Sequence, residues 1–169
     1  MLVQPSREMS PFVTGEITNF LFPFGKRPRP AELPLPEAGN DLSAFDVQRG
    51  RDHGLPGYAA YRQLCGLPPV RSLEPADRPA EIAFHNWESL ARLYRRVEDI
   101  DLMTGALMER SVSGGLTGPL LACLMGRQFG SLMKGDRFFY THGGEQKSFT
   151  ANQLAAIRKQ HQIQIILNF

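Results

Sequence analysis

The stretch DLSAFDVQRGRDHGLPGY, residues 41–58, limits the fold more than any other part of the sequence. Four of its residues are spaced i, i+3, i+4 and i+7, which places their side chains on one face of a helix. They are Leu42, Phe45, Asp46 and Arg49. Gly50 and Gly54 let the backbone turn, and Pro56 prevents a helix from running straight on. The sequence therefore predicts a helix over residues 41–50, followed by a turn.

The polar groups of this stretch have two interpretations. In the first, the shared face presents a carboxylate and a guanidinium, beside two apolar groups, to a buried polar ligand. In the second, Asp46 and Arg49 form a local ion pair, and the side chains of Arg51, Asp52 and His53 hold loops together by hydrogen bonds. The spacing alone leaves both interpretations open.

Composition excludes several classes of partner. The chain has 169 residues, enough for one domain with a real core, and its net charge of +2 is too small to indicate nucleic acid or an anionic membrane. No apolar run approaches the length of a membrane span. The first twelve residues, MLVQPSREMSPF, contain Pro, Arg and Glu where a signal peptide has an unbroken apolar core, so they predict no export signal.

The remaining pattern predicts a mainly α fold with long irregular connections. A short helix is expected over residues 12–22, and a proline-rich connector follows at 23–40, where residues 23–39 hold five of the 13 prolines. Apolar residues at helical spacing predict an amphipathic helix, and they are Trp87, Leu90, Ala91 and Tyr94. The segment 118–133 is apolar almost all round, which predicts a buried helix that has Pro119 in its first turn.

Two weaker signals lie near the end of the chain. Thr150 stands three residues before Gln153, which predicts a capping box at the start of a helix, with Leu154 and Ile157 on its inner side. Only the C-terminal IQIIL indicates a strand.

Local motifs show no catalytic or metal site. The four histidines have no second His or Cys at a metal-binding interval; they are His53, His85, His142 and His161. A GxSxG elbow and a reactive-cysteine motif are also absent. Cys65 and Cys123 both lie in apolar surroundings, which suits either two buried thiols or one disulfide bridge.

Three longer blocks resemble the C-terminal part of the animal haem peroxidases. They are DLSAFDVQRGRDHGLPGYAAYRQLCGL, GLTGPLLACLMGRQFGSLMKGDRFFY and FTANQLAAIRK. The upstream VTGEITNFLF is similar to the segment that precedes the first block in the family. The resemblance extends from about residue 12 to the end, and it implies that residues 1–169 are a single incomplete peroxidase domain, its C-terminal third.

The resemblance assigns roles to the residues of the predicted face. Asp46 matches the position that accepts a hydrogen bond from Nδ1–H of the proximal, iron-bound histidine, where many members have Asn. A carboxylate is the stronger acceptor and gives the imidazole more imidazolate character. Arg49 matches the arginine that pairs with a haem propionate, and Leu42 and Phe45 would form the apolar wall of the haem. Cys65 and Cys123 match a pair that is bridged in the family.

Other family features have no counterpart here. The distal histidine and arginine, the proximal histidine, the carboxylates that link the haem covalently and the calcium loop have no matching motif. The chain is therefore expected to hold no catalytic residue and no metal ligand of its own. In the complete domain the cofactor would be haem b or covalently linked haem, with calcium possible outside this chain.

The resemblance implies a haem-dependent peroxidase that couples reduction of hydrogen peroxide to oxidation of a small electron donor and responds to oxidative stress. This chain would contribute the proximal haem wall and bind the remainder of the domain, in an extracellular protein. Alone, it is expected to be inactive. The alternative is a non-catalytic peroxidase-like interaction or adhesion module, or a truncated pseudoenzyme. A further alternative is a soluble helical domain in which the polar stretch is purely structural.

Overall fold

The computed structural model describes residues 12–22, 39–144 and 147–159. Within these ranges the chain is helical with irregular connections and has no strand, which confirms the predicted mainly α class. The helices are α1 (Gly15–Asn19), α2 (Leu42–Asp52), α3 (Tyr58–Leu64), α4 (Phe84–Leu93), α5 (Leu102–Leu107), α6 (Pro119–Gly135) and α7 (Ala151–Lys159). Single 3-10 turns occur at Pro75–Asp77 and Val97–Asp99.

The described residues fall into two compact units. The first comprises residues 12–22 and 39–123, and the second comprises 124–144 and 147–159. In the first unit α3 packs against α5 and the turn at 97–99, while α2 contacts both α1 and α5. Its buried apolar side chains come from α3, α4, α5, the start of α6 and the connections between them; the largest are Trp87, Tyr58, Ile82, Leu90, Ile100 and Leu120.

Helix α4 confirms the amphipathic pattern in its centre. Trp87 and Leu90 are buried, and the indole Nε1 donates to the carbonyl oxygens of Leu73 and Glu74 at 3.1 and 3.3 Å. Ala91, predicted on the same face, is exposed, and Tyr94 caps the helix instead of continuing it. The buried apolar face of α4 is therefore shorter than the face that the residue spacing predicted.

The prediction of a buried helix over 118–133 is wrong except at its start. Leu120 is fully buried, whereas Met125, Phe129 and Leu132 are 45%, 62% and 53% exposed. A helix that is apolar all round needs packing partners on every side. Among the described residues, α6 is buried at Leu120 and half-buried at Cys123 and Leu124, and its later apolar side chains are exposed.

The capping box before α7 is confirmed in both of its bonds. Thr150 N donates to Gln153 Oε1 at 2.8 Å, and Gln153 N donates to Thr150 Oγ1 at 3.3 Å. Leu154 is half-buried but Ile157 is exposed, so the inner side of this helix is only partly covered.

Several predictions fall on residues that the structure does not describe. The strand at IQIIL and His161 lie outside the described ranges, and so does the proline-rich connector except for its last two residues. The short helix expected in 12–22 is present but has only five residues. Within the described residues, no helix is both long and apolar enough to cross a membrane.

Candidate functional site

Helix α2 begins close to the predicted position but ends two residues later than predicted. Asp41 is its N-cap and accepts a hydrogen bond from Ala44 N at 3.1 Å. The helix continues through Gly50 to Asp52, two residues beyond the prediction, because Leu55 N still donates to Gly50 O at 2.9 Å. Gly54 then adopts a φ of 65°, a left-handed conformation that glycine accepts without strain. Of the two glycines predicted to let the backbone turn, Gly54 does so, whereas Gly50 remains in the helix.

One side of α2 is fixed by packing on its neighbours. Ser43, Val47 and Gly50, spaced i, i+4 and i+7, are the half-buried residues along this side. Ser43 and Val47 share a small cavity wall with Met103 and Leu107, which shows that this side lies toward α5. This packing fixes the rotation of α2 about its own axis. It therefore also fixes the direction in which the opposite side of the helix faces.

The predicted face of α2 is open to solvent. Leu42 is 38% exposed and Phe45 45% exposed, and Asp46 and Arg49 are also exposed. Asp46 and Arg49 do not pair with each other, and among the described residues neither side chain has a hydrogen-bonded or ionic partner. The local ion pair of the structural interpretation is therefore not formed. The face combines two apolar groups with a free carboxylate and a free guanidinium.

Arg51, by contrast, has the structural role that the second interpretation predicted. Its Nε and Nη2 donate to the two carboxylate oxygens of Asp101 at 2.9 and 2.7 Å, a bidentate pair. The hydroxyl of Tyr94 donates to the same carboxylate at 2.8 Å. Arg51 holds the pKa of Asp101 below its usual value, so this carboxylate stays ionised near neutrality. The polar stretch thus divides into a free pair on one face and a bonded arginine on another.

A cavity of about 670 Å³ lies beside the second half of α2, and neither Leu42 nor Phe45 lines it. Asp46 and Arg49 line it on one side, and the segment 93–103 supplies Tyr94, Ile100 and Asp101 on another. Its wall therefore mixes charges of both signs with apolar carbon. Such a cavity suits a large ligand or a protein segment that has both apolar and charged groups.

A buried polar network was not predicted from the sequence. Arg62 donates through Nη1 to Glu109 Oε1 at 2.9 Å, to the Tyr58 hydroxyl at 3.0 Å and to Glu81. Tyr58 donates to Glu109 Oε1 at 2.7 Å, and burial together with that carboxylate raises the pKa of Tyr58. Glu109 Oε2 accepts from Leu120 N at 2.8 Å and so caps the buried start of α6.

The only local signal for this network was the i, i+4 spacing of Tyr58 and Arg62. The two glutamates lie 19 and 47 residues after Arg62 in the sequence. No spacing rule joins residues at such separations. The network connects α3, the segment after α5 and the start of α6.

The disulfide between Cys65 and Cys123 is formed, with a Cα–Cα distance of 6.1 Å. Cys65 caps the end of α3 and Cys123 lies in the second turn of α6. The bridge ties these two helices together near the buried network. Apolar surroundings alone had left free thiols and a bridge equally open.

Of the described histidines, His53 and His85 are exposed and His142 is half-buried. The Nε2 of His53 is 3.9 Å from the carboxylate of Asp52. In the ranges that the structure covers, no group of three or more His, Cys, Asp or Glu residues could hold a metal ion. At the cavity, the carboxylate of Asp46 can accept hydrogen bonds and the guanidinium of Arg49 can donate them.

Several known proteins are similar to this chain in sequence. The sequence model of the animal haem peroxidases matches residues 1–168. Peroxidase-like protein 2 of Lottia gigantea is 36% identical over 153 residues, covering 90% of this chain and 16% of that protein. Eosinophil peroxidase of Mus musculus is 41% identical over 124 residues, covering 72% of this chain and 16% of that protein.

A solved structure is also similar to this chain. Peroxidase A of Dictyostelium discoideum superposes with a TM-score of 0.63 and 27% identity, covering 96% of this chain and 30% of that one. The chain thus spans about a sixth of the two curated relatives and under a third of this structure.

Proposed function

Because the chain belongs to the animal haem peroxidase family, we propose that it forms the proximal wall of a haem pocket in a peroxidase. The whole protein would reduce hydrogen peroxide, oxidise a small electron donor and respond to oxidative stress. The observation that carries the proposal is the open face of α2, where two apolar side chains stand beside a carboxylate and a guanidinium that have no bonding partner within the described ranges.

The residues of this face fit haem in their chemistry. Leu42 and Phe45 are exposed large apolar groups of the kind that packs on a flat porphyrin. Arg49 offers a forked cation with no described partner, which suits the carboxylate of a propionate. Asp46 offers an acceptor at the edge of the cavity for the N–H of an imidazole. When bound, haem supplies the iron at which peroxide is reduced.

Each residue has a separate task in this proposal. Asp46 accepts the proximal imidazole N–H, fixes the orientation of the ring and keeps its iron-facing nitrogen electron-rich. Arg49 anchors one propionate, and the apolar pair excludes water from one side of the ring. The proximal and distal histidines, any covalent link to haem and any calcium ligands would come from the remainder of the domain. The disulfide is consistent with an extracellular protein.

The experiment replaces Asp46 in the protein that carries the whole domain. We expect Asp46→Asn to raise the Fe(III)/Fe(II) midpoint potential, because a neutral amide leaves less negative charge on the imidazole. Loss of about 1 kcal/mol of charge-assisted bonding corresponds to roughly 40 mV for one electron. Asp52→Asn, a change of the same charge on the same helix, is the control. An unchanged potential and Soret spectrum in Asp46→Asn would remove this residue from the haem site.

The isolated 169-residue chain is a second test. Mixed with hemin, it should give no sharp Soret band and no peroxide turnover, because the axial histidine lies outside it. A sharp band with turnover would contradict a purely supporting role for this chain.

The alternative is a non-catalytic peroxidase-like interaction or adhesion module. The half-site in this sequence, which has the wall but no motif for the iron ligand, is compatible with it. Translation of the coding sequence upstream of Met1 separates the two functions. An in-frame segment with the distal and proximal histidines supports the enzyme, whereas stop codons or an unrelated exon support the module.

A further inference from the structure

A pocket of about 210 Å³ lies in the second unit, between the segment after α6 and the segment before α7. Its wall combines aromatic rings with positively charged groups. The rings include Phe138, Phe139 and Phe149, and the cations are Arg137 and Lys147. Within the described ranges, no carboxylate lines this pocket. The wall therefore favours an anion that also has an apolar part.

The turn after α6 holds one side of the pocket in place. Oδ1 of Asp136 accepts from Phe138 N at 2.9 Å, and the carbonyl oxygen of Asp136 accepts from Phe139 N at 3.0 Å. The carbonyl oxygen of Phe139 accepts from His142 N at 2.8 Å. The half-buried ring of Phe139 has its centroid 5.0 Å from the Tyr140 ring and 5.8 Å from the His142 ring. These contacts order the wall before any ligand binds, which lowers the entropic cost of binding.

The positive charge of Arg137 has no carboxylate partner within the described ranges. The adjacent carboxylate of Asp136 instead accepts the backbone N–H of Phe138. Cζ of Arg137 lies 4.4 Å from the centroid of the Phe138 ring, a cation–π contact that orients the guanidinium. Its N–H groups can still donate to an incoming carboxylate.

Three other cavities have a different charge pattern. Asp46 lines both the cavity of about 670 Å³ and the small cavity shared with α5. An open groove of about 690 Å³ along α4 is lined by Glu74 and Glu88 as well as by Arg92 and Arg95. Each of these walls contains a carboxylate, which repels an anion.

We propose that the pocket after α6 binds a small carboxylate that has a single aromatic ring. The carboxylate pairs with Arg137 and Lys147, and the ring packs on Phe139 and Phe149. A volume of about 210 Å³ suits this size, because a dry apolar cavity of roughly 150 Å³ is enough for benzene. The site shares no residue with the open face of α2, so it goes beyond the proposed function and does not depend on it.

Titration of the ¹⁵N-labelled 169-residue chain with benzoate, followed by two-dimensional NMR, tests the site. We expect saturable shifts of backbone amides in 137–142 and 147–149, with a dissociation constant on the order of 1 mM for so small a ligand. Arg137→Gln should raise the dissociation constant about tenfold, because a charge-assisted bond is lost. Arg158→Gln is the matched control, since Arg158 is exposed on α7 in the same unit and does not line the pocket.

Two comparison ligands test the two parts of the wall separately. Benzyl alcohol has the ring without the charge, and sulfate has the charge without the ring. Each should need about tenfold more ligand than benzoate to produce the same shifts, because one half of the wall is left without a partner. Binding of either as tightly as benzoate overturns the assignment to an aromatic carboxylate.

The site itself is overturned if benzoate gives no saturable shift in 137–142 and 147–149, or if Arg137→Gln and Arg158→Gln weaken binding equally. Where circular dichroism shows that Arg137→Gln does not fold, Lys147→Gln decides. An unchanged dissociation constant in that variant overturns the charge pairing, and a raised one supports it. None of these measurements involves haem, so failure of haem binding in the complete protein contradicts only the proposed function.

Discussion

The guanidinium of Arg62 lies 2.9 Å from the carboxylate of Glu109, and the side chains are only 1% and 0% exposed to solvent. Buried charges of opposite sign are stable only as a pair, because each is removed from water. Arg62 also donates to Glu81, and Glu109 caps α6. The pair therefore fixes three segments of the first unit around one point.

Arg62→Met should be among the most destabilising single changes in the chain. It leaves Glu109 buried without its cation, which costs about 3–5 kcal/mol in comparable cases. Chemical denaturation of the purified chain measures this cost. The control is Arg96→Met, which breaks the exposed pair between Arg96 and Asp99 and should leave the midpoint almost unchanged. Equal midpoints for the two variants would show that the buried pair is not important for stability.

Gly105→Ala should destabilise the contact between α5 and α3. A Cβ at Gly105 would lie 2.6 Å from Cδ2 of Tyr58, a buried ring that cannot move aside, and overpacking of this kind costs about 1–3 kcal/mol. Gly126→Ala in α6 is the matched control, since a Cβ there meets nothing within 4 Å. Because alanine favours a helix, this control should gain roughly 0.5–1 kcal/mol. Thermal denaturation should give a lower melting temperature for Gly105→Ala and a higher one for Gly126→Ala than for the unchanged chain. Destabilisation by both changes would contradict the packing explanation.

Removal of the disulfide should lower stability without removing helical content. Cys65 and Cys123 are 58 residues apart, and closing such a loop is worth on the order of 4 kcal/mol in the chain-entropy model. The double variant Cys65→Ser with Cys123→Ser should unfold at a clearly lower denaturant concentration. Alkylation of the wild-type chain under denaturing conditions should modify cysteine only after reduction. Modification before reduction would show that the bridge is not formed.

Stability should fall in acid partly because of Asp101. Its pKa is lowered in the folded state, so the folded chain binds this proton less readily than the unfolded chain does. The contribution is fully present above the unfolded carboxyl pKa of about 3.9 and is lost as the pH falls through the lower folded value. Asp101→Asn should therefore show a smaller loss of stability below about pH 4. Denaturation midpoints measured across this pH range give the slope of stability against pH for each protein. Identical slopes for the unchanged chain and for Asp101→Asn would exclude the Arg51–Asp101 pair as a cause.

The sequence predicted the features of the site that depend on neighbouring residues. The placement of Leu42, Phe45, Asp46 and Arg49 on one face follows from the geometry of a helix that begins near Asp41. The end of that helix was predicted two residues early, because glycine lowers helix stability but does not forbid a helix whose next hydrogen bonds are satisfied. The role of that face in binding haem stays a proposal.

Features that depend on distant residues were predicted poorly. Arg51 was assigned a loop-tying role, but its partner Asp101, 50 residues away, could not be identified. For Arg62 the only local signal was its i, i+4 spacing from Tyr58, because the two glutamates that also bond it lie 19 and 47 residues further along the sequence. The disulfide was expected only from the family resemblance, since an apolar setting suits a thiol as well as a bridge.

The sequence by itself determined the mainly helical class, the capping box of α7 and the residues that share each helix face. These are relations between residues up to four positions apart, and backbone geometry fixes them. Only the tertiary structure decided which face of α2 is covered by α5 and which stays open. It also decided that α6 is exposed beyond its first turn and that Arg62 is buried with its partners. Burial depends on which distant segments pack together, and a local pattern of apolar residues does not encode that choice.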